Sequence, residues 1–158
     1  MKKTFTTLAM LTSIAVPALA QDHSLTTYAA HVAPQYVDAA PAGLSVGDQY
    51  LRYNDISFEL NGPIVGVYYG QETLIFLDSA TEKSARMYLR EEIFPDGSIY
   101  TSDVVQVDHG GPIKEGHKHE GAIIGGTGKY AGIRGTYTLH LVPTENVYET
   151  VYSYWLGQ

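Results

Sequence analysis

Residues 84–107, SARMYLREEIFPDGSIYTSDVVQV, carry the strongest fold signal in the chain. Pro95 presets one turn residue, Gly97 supplies a positive φ, and β-prone runs flank both, so Ser84–Phe94 and Ser98–Val107 are expected to form a hairpin. The same grammar recurs outward from it, with β-branched and aromatic runs broken at intervals by turn residues. Further strands are expected at Gln49–Phe58, Ile64–Tyr69, Glu72–Leu77, Glu120–Ile124, Arg134–Val142 and Val147–Leu156. No segment sustains a helical period with caps, and Asp78–Ala85 reads as a loop. An all-β chain with about eight strands buries both faces of its sheet as a sandwich or as a closed barrel. Many strands carry polar or Tyr residues on one face and aliphatics on the other. That favours a small closed antiparallel β-barrel with one face lining a pocket.

Upstream, residues 1–20 have the three parts of a secretory signal peptide. Lys2 and Lys3 form the positive end, Phe5 to Val16 the apolar run, and Ala18-Leu19-Ala20 a cleavage site before Gln21. The apolar run is shorter than the roughly 20 residues that span a bilayer. The expectation is a periplasmic or secreted chain with no membrane span. Residues 21–46 read as a lead-in, with a possible first strand at Leu25–Val32, and residues 47–158 as the barrel domain. The formal net charge is −7, and loss of the two leader lysines makes the remainder more acidic still. Such a surface repels phosphate backbones, so no nucleic-acid partner is expected. The chain has no cysteine, which excludes disulfides, thiol catalysis and a lipid anchor.

Gly125-Gly126-Thr127-Gly128-Lys129 invites a phosphate-loop reading, but the spacing fails. The required upstream glycine is Ile123, and Tyr130 stands where Ser or Thr should follow the lysine. Gly126, Gly128 and Ala131 fit a dinucleotide fingerprint formally, yet a β-rich segment follows where a helix is needed. The segment reads instead as a tight connection between strands.

The run Gly125 to Gly135, then a strand, a Pro-containing turn and a last strand ending Tyr152-Ser153-Tyr154-Trp155-Leu156-Gly157, resembles the C-terminal half of the allene oxide cyclase and dirigent barrel superfamily. In both families a GG-[ST]-G-x-[FY] turn leads to a glycine soon after the aromatic. Val46-Gly47-Asp48 and a hairpin over Gly62–Asp78 sit at compatible distances, so the resemblance spans Val46 to Gly157. It implies an eight-stranded barrel with an apolar cavity, often a homo-oligomer (trimer). It also implies a cyclase or isomerase that needs no cofactor and acts on a small hydrophobic ligand. The alternative is a non-catalytic extracytoplasmic binder or carrier of such a molecule.

By the same resemblance, Arg134 falls where dirigent proteins have an Arg and the cyclases a catalytic Tyr. In an apolar cavity its guanidinium would stabilise a developing oxyanion. At the barrel mouth it would instead pair with a carboxylate such as Glu120. Without a bulge at Gly135, Arg134, Thr136, Thr138 and His140 share one face, opposite Tyr137, Leu139 and Leu141. Lys129 replaces a functional Asp of the dirigent proteins. The cyclases' first-strand acid has no counterpart here beyond Tyr28 and His31.

The residues themselves suggest further candidates. Glu92 shares a face with Tyr88 and Phe94 and is the leading pocket acid, able to act as general acid or base if buried. Arg86, Arg90, Glu91, Glu92 and Asp103 are otherwise expected as cross-strand pairs on the outer surface or at a subunit seam, with one or two, Glu92 first, as pocket acids instead. Tyr148, Tyr152 and Tyr154 share one face of the last strand, as pocket lining or as ordinary packing. His117-x-His119 would place two imidazoles on one face and suits a metal. The accompanying glutamate is missing, since positions 123 and 124 are both Ile. A solvated His-rich loop with no metal is therefore expected, with His109 and His140 unplaced. No Ser stands in a nucleophile-elbow context.

Overall fold

The computed structural model describes residues 23–81, 83–108, 118–142 and 145–157. Among these residues the strands are β1 (His23–Ala30), β2 (Gln35–Val37), β3 (Gln49–Ser57), β4 (Ile64–Asp78), β5 (Lys83–Phe94), β6 (Gly97–Asp108), β7 (Lys118–Gly126), β8 (Ile133–Val142) and β9 (Val147–Leu156). A single 3₁₀ turn, Gly128–Tyr130, precedes β8. The sheet order is β1-β9-β8-β7-β6-β5-β4-β3-β2, and β1 also pairs with β3, which closes eight strands into an antiparallel barrel. Short β2 lies outside the ring on the first residues of β3. Residues 1–20, where a signal peptide is expected, and the histidines His109 and His117 lie outside the described residues. Among the described residues no helix is long and apolar enough to cross a membrane.

The hairpin expected from Pro95-Asp96-Gly97 is present, with unbroken register from Lys83↔Asp108 to Phe94↔Gly97. The strand expected over Leu25–Val32 runs from His23 to Ala30 and completes the barrel wall. Ile64–Tyr69 and Glu72–Leu77 are one strand and not the two arms of a hairpin. Gly70 does not turn the chain: it pairs with Arg52 on one side and Arg90 on the other. Its missing side chain instead makes room for the Tyr68 ring, which would stand 3.1 Å from a Cβ there.

β5 explains why the charged residues were misplaced. Ser84, Arg86, Tyr88, Arg90, Glu92 and Phe94 point inward, while Met87 and Leu89 on the opposite face are 36% and 39% exposed. The polar face is the lumenal one, the reverse of the usual pattern for a two-faced sheet. Arg86, Arg90 and Glu92 are therefore buried, and only Glu91 takes the outer side.

Apolar packing closes the barrel end that holds the β5–β6 turn. Phe94, Ile99, Tyr130 and Ile133 belong to the main core cluster there, and Phe58 stacks on Phe94 at 5.7 Å. The glycine-rich turn docks onto this hairpin. Thr127 and Lys129 donate their N–H groups to the carbonyls of Ser98 and Asp96, both at 2.9 Å. Those donors are thus committed to backbone and do not form a phosphate cradle. Gly128 (φ 56°) is required at this contact, because a Cβ would lie 2.1 Å from the Asp96 carbonyl oxygen.

Candidate functional site in the barrel lumen

The lumen is built from alternate residues of all eight wall strands, and its middle is polar. Glu72 on β4 accepts from Arg52 Nε on β3 at 3.0 Å and from Arg86 on β5 at 2.9 Å. Arg52 also donates to the Val32 carbonyl at 2.9 Å, anchoring the segment that leaves β1. Further along β5, Arg90 pairs with Glu92, and Glu92 also accepts from the Thr27 hydroxyl of β1 at 2.9 Å. Removing charges from water is costly, and these pairs persist because each carboxylate meets a guanidinium with added hydrogen bonds.

Tyrosines fill the space between the charges. The Arg90 guanidinium lies 4.6 Å from the Tyr68 ring centre and that of Arg86 4.2 Å from Tyr50, both close enough for cation–π attraction. Asn54 donates to the Tyr68 hydroxyl at 3.0 Å. Burial first, then the charge of Glu92, carries the Tyr152 phenol well above its ordinary range. Burial and Glu72 do the same for Tyr88, and burial pushes Tyr148 up to about 12. These phenols hold their protons at neutral pH and are able to donate a hydrogen bond. The hydroxyls of Tyr148 and Thr150, neighbours on the lumenal face of β9, are buried without a hydrogen-bond partner.

A second acidic centre lies on β6. Asp103 faces inward with Thr101 and Val105, and its carboxylate oxygen is 3.1 Å from Nε2 of His119 on β7. The nearby Tyr137 phenol of β8 and the Arg90 charge act to lower its carboxyl, but burial outweighs both and lifts it to about 6.

With this geometry in place, the comparisons with known proteins are informative about fold. No protein-family model matches the sequence, and no curated protein matches it. Solved structures do. Pyocyanin demethylase superposes with a TM-score of 0.66 at 19% identity, over 84% of this chain and 100% of that one. The Diels–Alderase AbmU from Streptomyces koyangensis gives 0.65 at 22% identity, over 85% of this chain and 64% of that one. The pterocarpan synthase dirigent protein GePTS1 gives 0.58 at 19% identity, covering 86% of each. The chain has the barrel-cyclase and dirigent-like fold.

Within this dirigent-like barrel the sequence candidates separate into two groups. Glu92, Tyr88, Tyr148 and Tyr152 are buried in the lumen, and Tyr154 lies half-buried at its apolar end beside His23. Glu92 is not a lone pocket acid but half of an ion pair. Arg134 is on the other side of the wall. It is exposed, and its guanidinium donates to the Ile133 carbonyl, because β8 pairs without a bulge and sends Ile133, Tyr137, Leu139 and Leu141 inward. The expectation of a lumenal Arg134 is thereby corrected. Tyr28 is corrected likewise: it sits on the outer face of β1 and donates to Glu149 at 3.0 Å. His31 stands at the rim, where Asn146 holds its ring at 3.0 Å and its edge meets Tyr148 at 5.0 Å.

His119 is not part of a solvated loop, since its side chain is only 8% exposed beside Asp103. Among the described residues no group of three or more His, Asp or Glu side chains is placed to hold a metal. His140 lies 3.7 Å from Glu149. The residues missed by sequence reasoning are Arg52, Glu72 and Asp103. The alternation of Ile99, Thr101, Asp103 and Val105 along one face of β6 was the available signal for the last of them.

Proposed function

We propose that the protein is an exported barrel that binds a small lipophilic molecule in its lumen and acts on it as a cyclase or isomerase without a cofactor. The observation that carries this reading is the pair of buried, unpartnered hydroxyls of Tyr148 and Thr150 within an aromatic wall. A polar group left unpaired in the interior costs about 1–3 kcal/mol, and an oxygen-bearing ligand would remove that cost. Aromatic rings supply the apolar bed, the phenols orient the ligand, and confinement in one folded shape lowers the barrier to ring closure. The likeness to Diels–Alderases and to a pterocarpan synthase dirigent protein adds support by analogy of fold.

A carrier is the second reading, favoured by one feature: the strongest charges in the lumen are already paired with one another. Native mass spectrometry of the protein purified from its own host should reveal a bound small molecule. Prolonged incubation then separates the readings. A change in structure of the bound molecule supports the enzyme, and its recovery unchanged supports the carrier. A barrel that retains no small molecule and binds none from an extract sinks both.

Two parts of the proposal are tested separately. Export with cleavage before Gln21 predicts an extracytoplasmic product whose intact mass lacks the leader. Association as a trimer is attributed to the outer apolar face, where Leu51, Tyr69, Leu89, Tyr100 and Ile124 line a groove of about 450 Å³. Light scattering should report three chains, and a monomer would remove that part of the reading.

A further inference from the structure

We propose that the Asp103–His119 pair is the proton acceptor of the lumen and that the ligand carries an acidic O–H, as a phenol or an enol does. The inference rests on the reading of the lumen as a ligand site and names the chemistry of that ligand. Three observations on three strands support it. Asp103 on β6 is buried with its carboxylate inward, its side chain 4% exposed. His119 on β7 comes within 3.1 Å of that carboxylate through Nε2. The rings of Tyr88 and Tyr137 flank His119, with centres 5.9 Å and 6.3 Å away.

The space for this arrangement is made by Gly121. A Cβ on Gly121 would stand 2.4 Å from the Tyr137 ring and 2.8 Å from Cβ of Asp103. The wall of β7 is therefore thinned where Asp103 and Tyr137 meet.

The charged and titratable groups facing Asp103 come from each packed strand. Glu72 on β4 opposes its ionisation and Arg90 on β5 assists it. Tyr88 is its register partner on β5, with His119 on β7 and Tyr137 on β8. Burial dominates, which places the carboxyl near 6 and makes it a stronger base than an exposed aspartate. A phenol or enol O–H placed here breaks to give its proton to the carboxylate. The electron pair stays on the substrate oxygen, where Arg90 and the Tyr137 hydroxyl offset the negative charge. The same proton returns to the product, so no oxidant or reductant is needed.

The test uses two probes, 4-methylphenol, which keeps its own proton throughout the range, and its methyl ether 4-methylanisole, with the full barrel. Above about pH 6 the ionised Asp103 accepts from the phenol; below it the protonated group no longer does. The affinity for 4-methylphenol should fall about tenfold from pH 7 to pH 5, while that for 4-methylanisole stays level. Asp103→Asn should flatten the first profile and leave ether binding within twofold, which also reports that the variant is folded. If phenol and ether bind alike at both pH values, the proton acceptor is refuted while the lumenal site stands. If neither probe binds, the lumenal reading fails and this inference falls with it.

Discussion

The Tyr36 hydroxyl donates a 2.6 Å hydrogen bond to the Asp48 carboxylate and so ties the short outer strand β2 to the start of β3. Asp48 also accepts from the backbone N–H groups of Ala39 at 2.9 Å and Ser45 at 2.8 Å. One buried carboxylate therefore organises the whole connection between β2 and β3.

The bond from Tyr36, with help from Ser45 and Ala39, holds the Asp48 carboxyl down from 3.8 to about 2. A lowered folded-state value means that Asp48 contributes stability above about pH 4 and loses it as pH falls toward 2. Asp48→Ala should lower the melting temperature by about 5–10 °C at pH 7. The gap between variant and parent should narrow on acidification to pH 2. Thermal melts at both pH values check this, and a constant gap counts against it.

Two ion pairs of similar length should differ greatly in worth. Lys129 Nζ and Asp96 are 2.7 Å apart but half exposed, whereas Glu72 and Arg86 are 2.9 Å apart and buried. Lys129→Ala should cost at most about 0.5 kcal/mol in urea unfolding. Glu72→Gln leaves two buried guanidiniums without their carboxylate and should cost about 3–5 kcal/mol.

Gly128→Ala should destabilise the barrel by about 2 kcal/mol or more, through both its positive φ and the close Asp96 carbonyl. The same measurement on Gly125→Ala gives the contrast. A Cβ at Gly125 meets only the Tyr100 ring at 4.0 Å, so its effect should stay below about 1 kcal/mol.

Arg134→Leu should leave ligand affinity in the lumen within twofold of the parent, because Arg134 lies on the outer wall. Tyr148→Phe, on the inner wall, should weaken binding of an oxygen-bearing ligand by about fivefold to tenfold. Isothermal titration of both variants with the co-purified molecule decides whether the sides are assigned correctly.

Asp103 should work against stability at neutral pH. Its carboxyl is raised from 3.8 to about 6, so the folded state favours the neutral form and loses stability as pH rises between those values. Asp103→Asn should therefore be more stable than the parent at pH 8, by about 1 kcal/mol after allowance for screening. The advantage should vanish below pH 4. Denaturant midpoints at the two pH values provide the measurement.

Much of the wall was legible in the sequence because turn chemistry is local. Pro95-Asp96-Gly97 marks a hairpin with no knowledge of its surroundings, and the β8 alternation sorted Arg134 from Tyr137 once a bulge was excluded. The interior was harder to read. Arg86, Arg90 and Glu92 look like a solvated face because charged residues usually are one. Arg86 finds its carboxylate in Glu72 on the neighbouring strand, whereas Glu92, paired with Arg90, meets Thr27 of β1 across 65 positions, a contact made only once the barrel closes. Gly70 misled for a related reason: its role is room for the Tyr68 ring, and a lone glycine in a strand does not announce which neighbour it accommodates.

β1 meets β9 along eight residue pairs, from His23↔Tyr154 to Ala30↔Val147, but touches β3 through only two. Its partner for most of its length is thus the last strand of the wall, with Tyr28 and Glu149 hydrogen-bonded across 121 positions. During synthesis the first strand has no long edge to join until the final one leaves the ribosome, so the ring stays open for nearly the whole of translation. If the chain is exported as proposed, that delay would keep the nascent barrel in a form a translocation pore can accept.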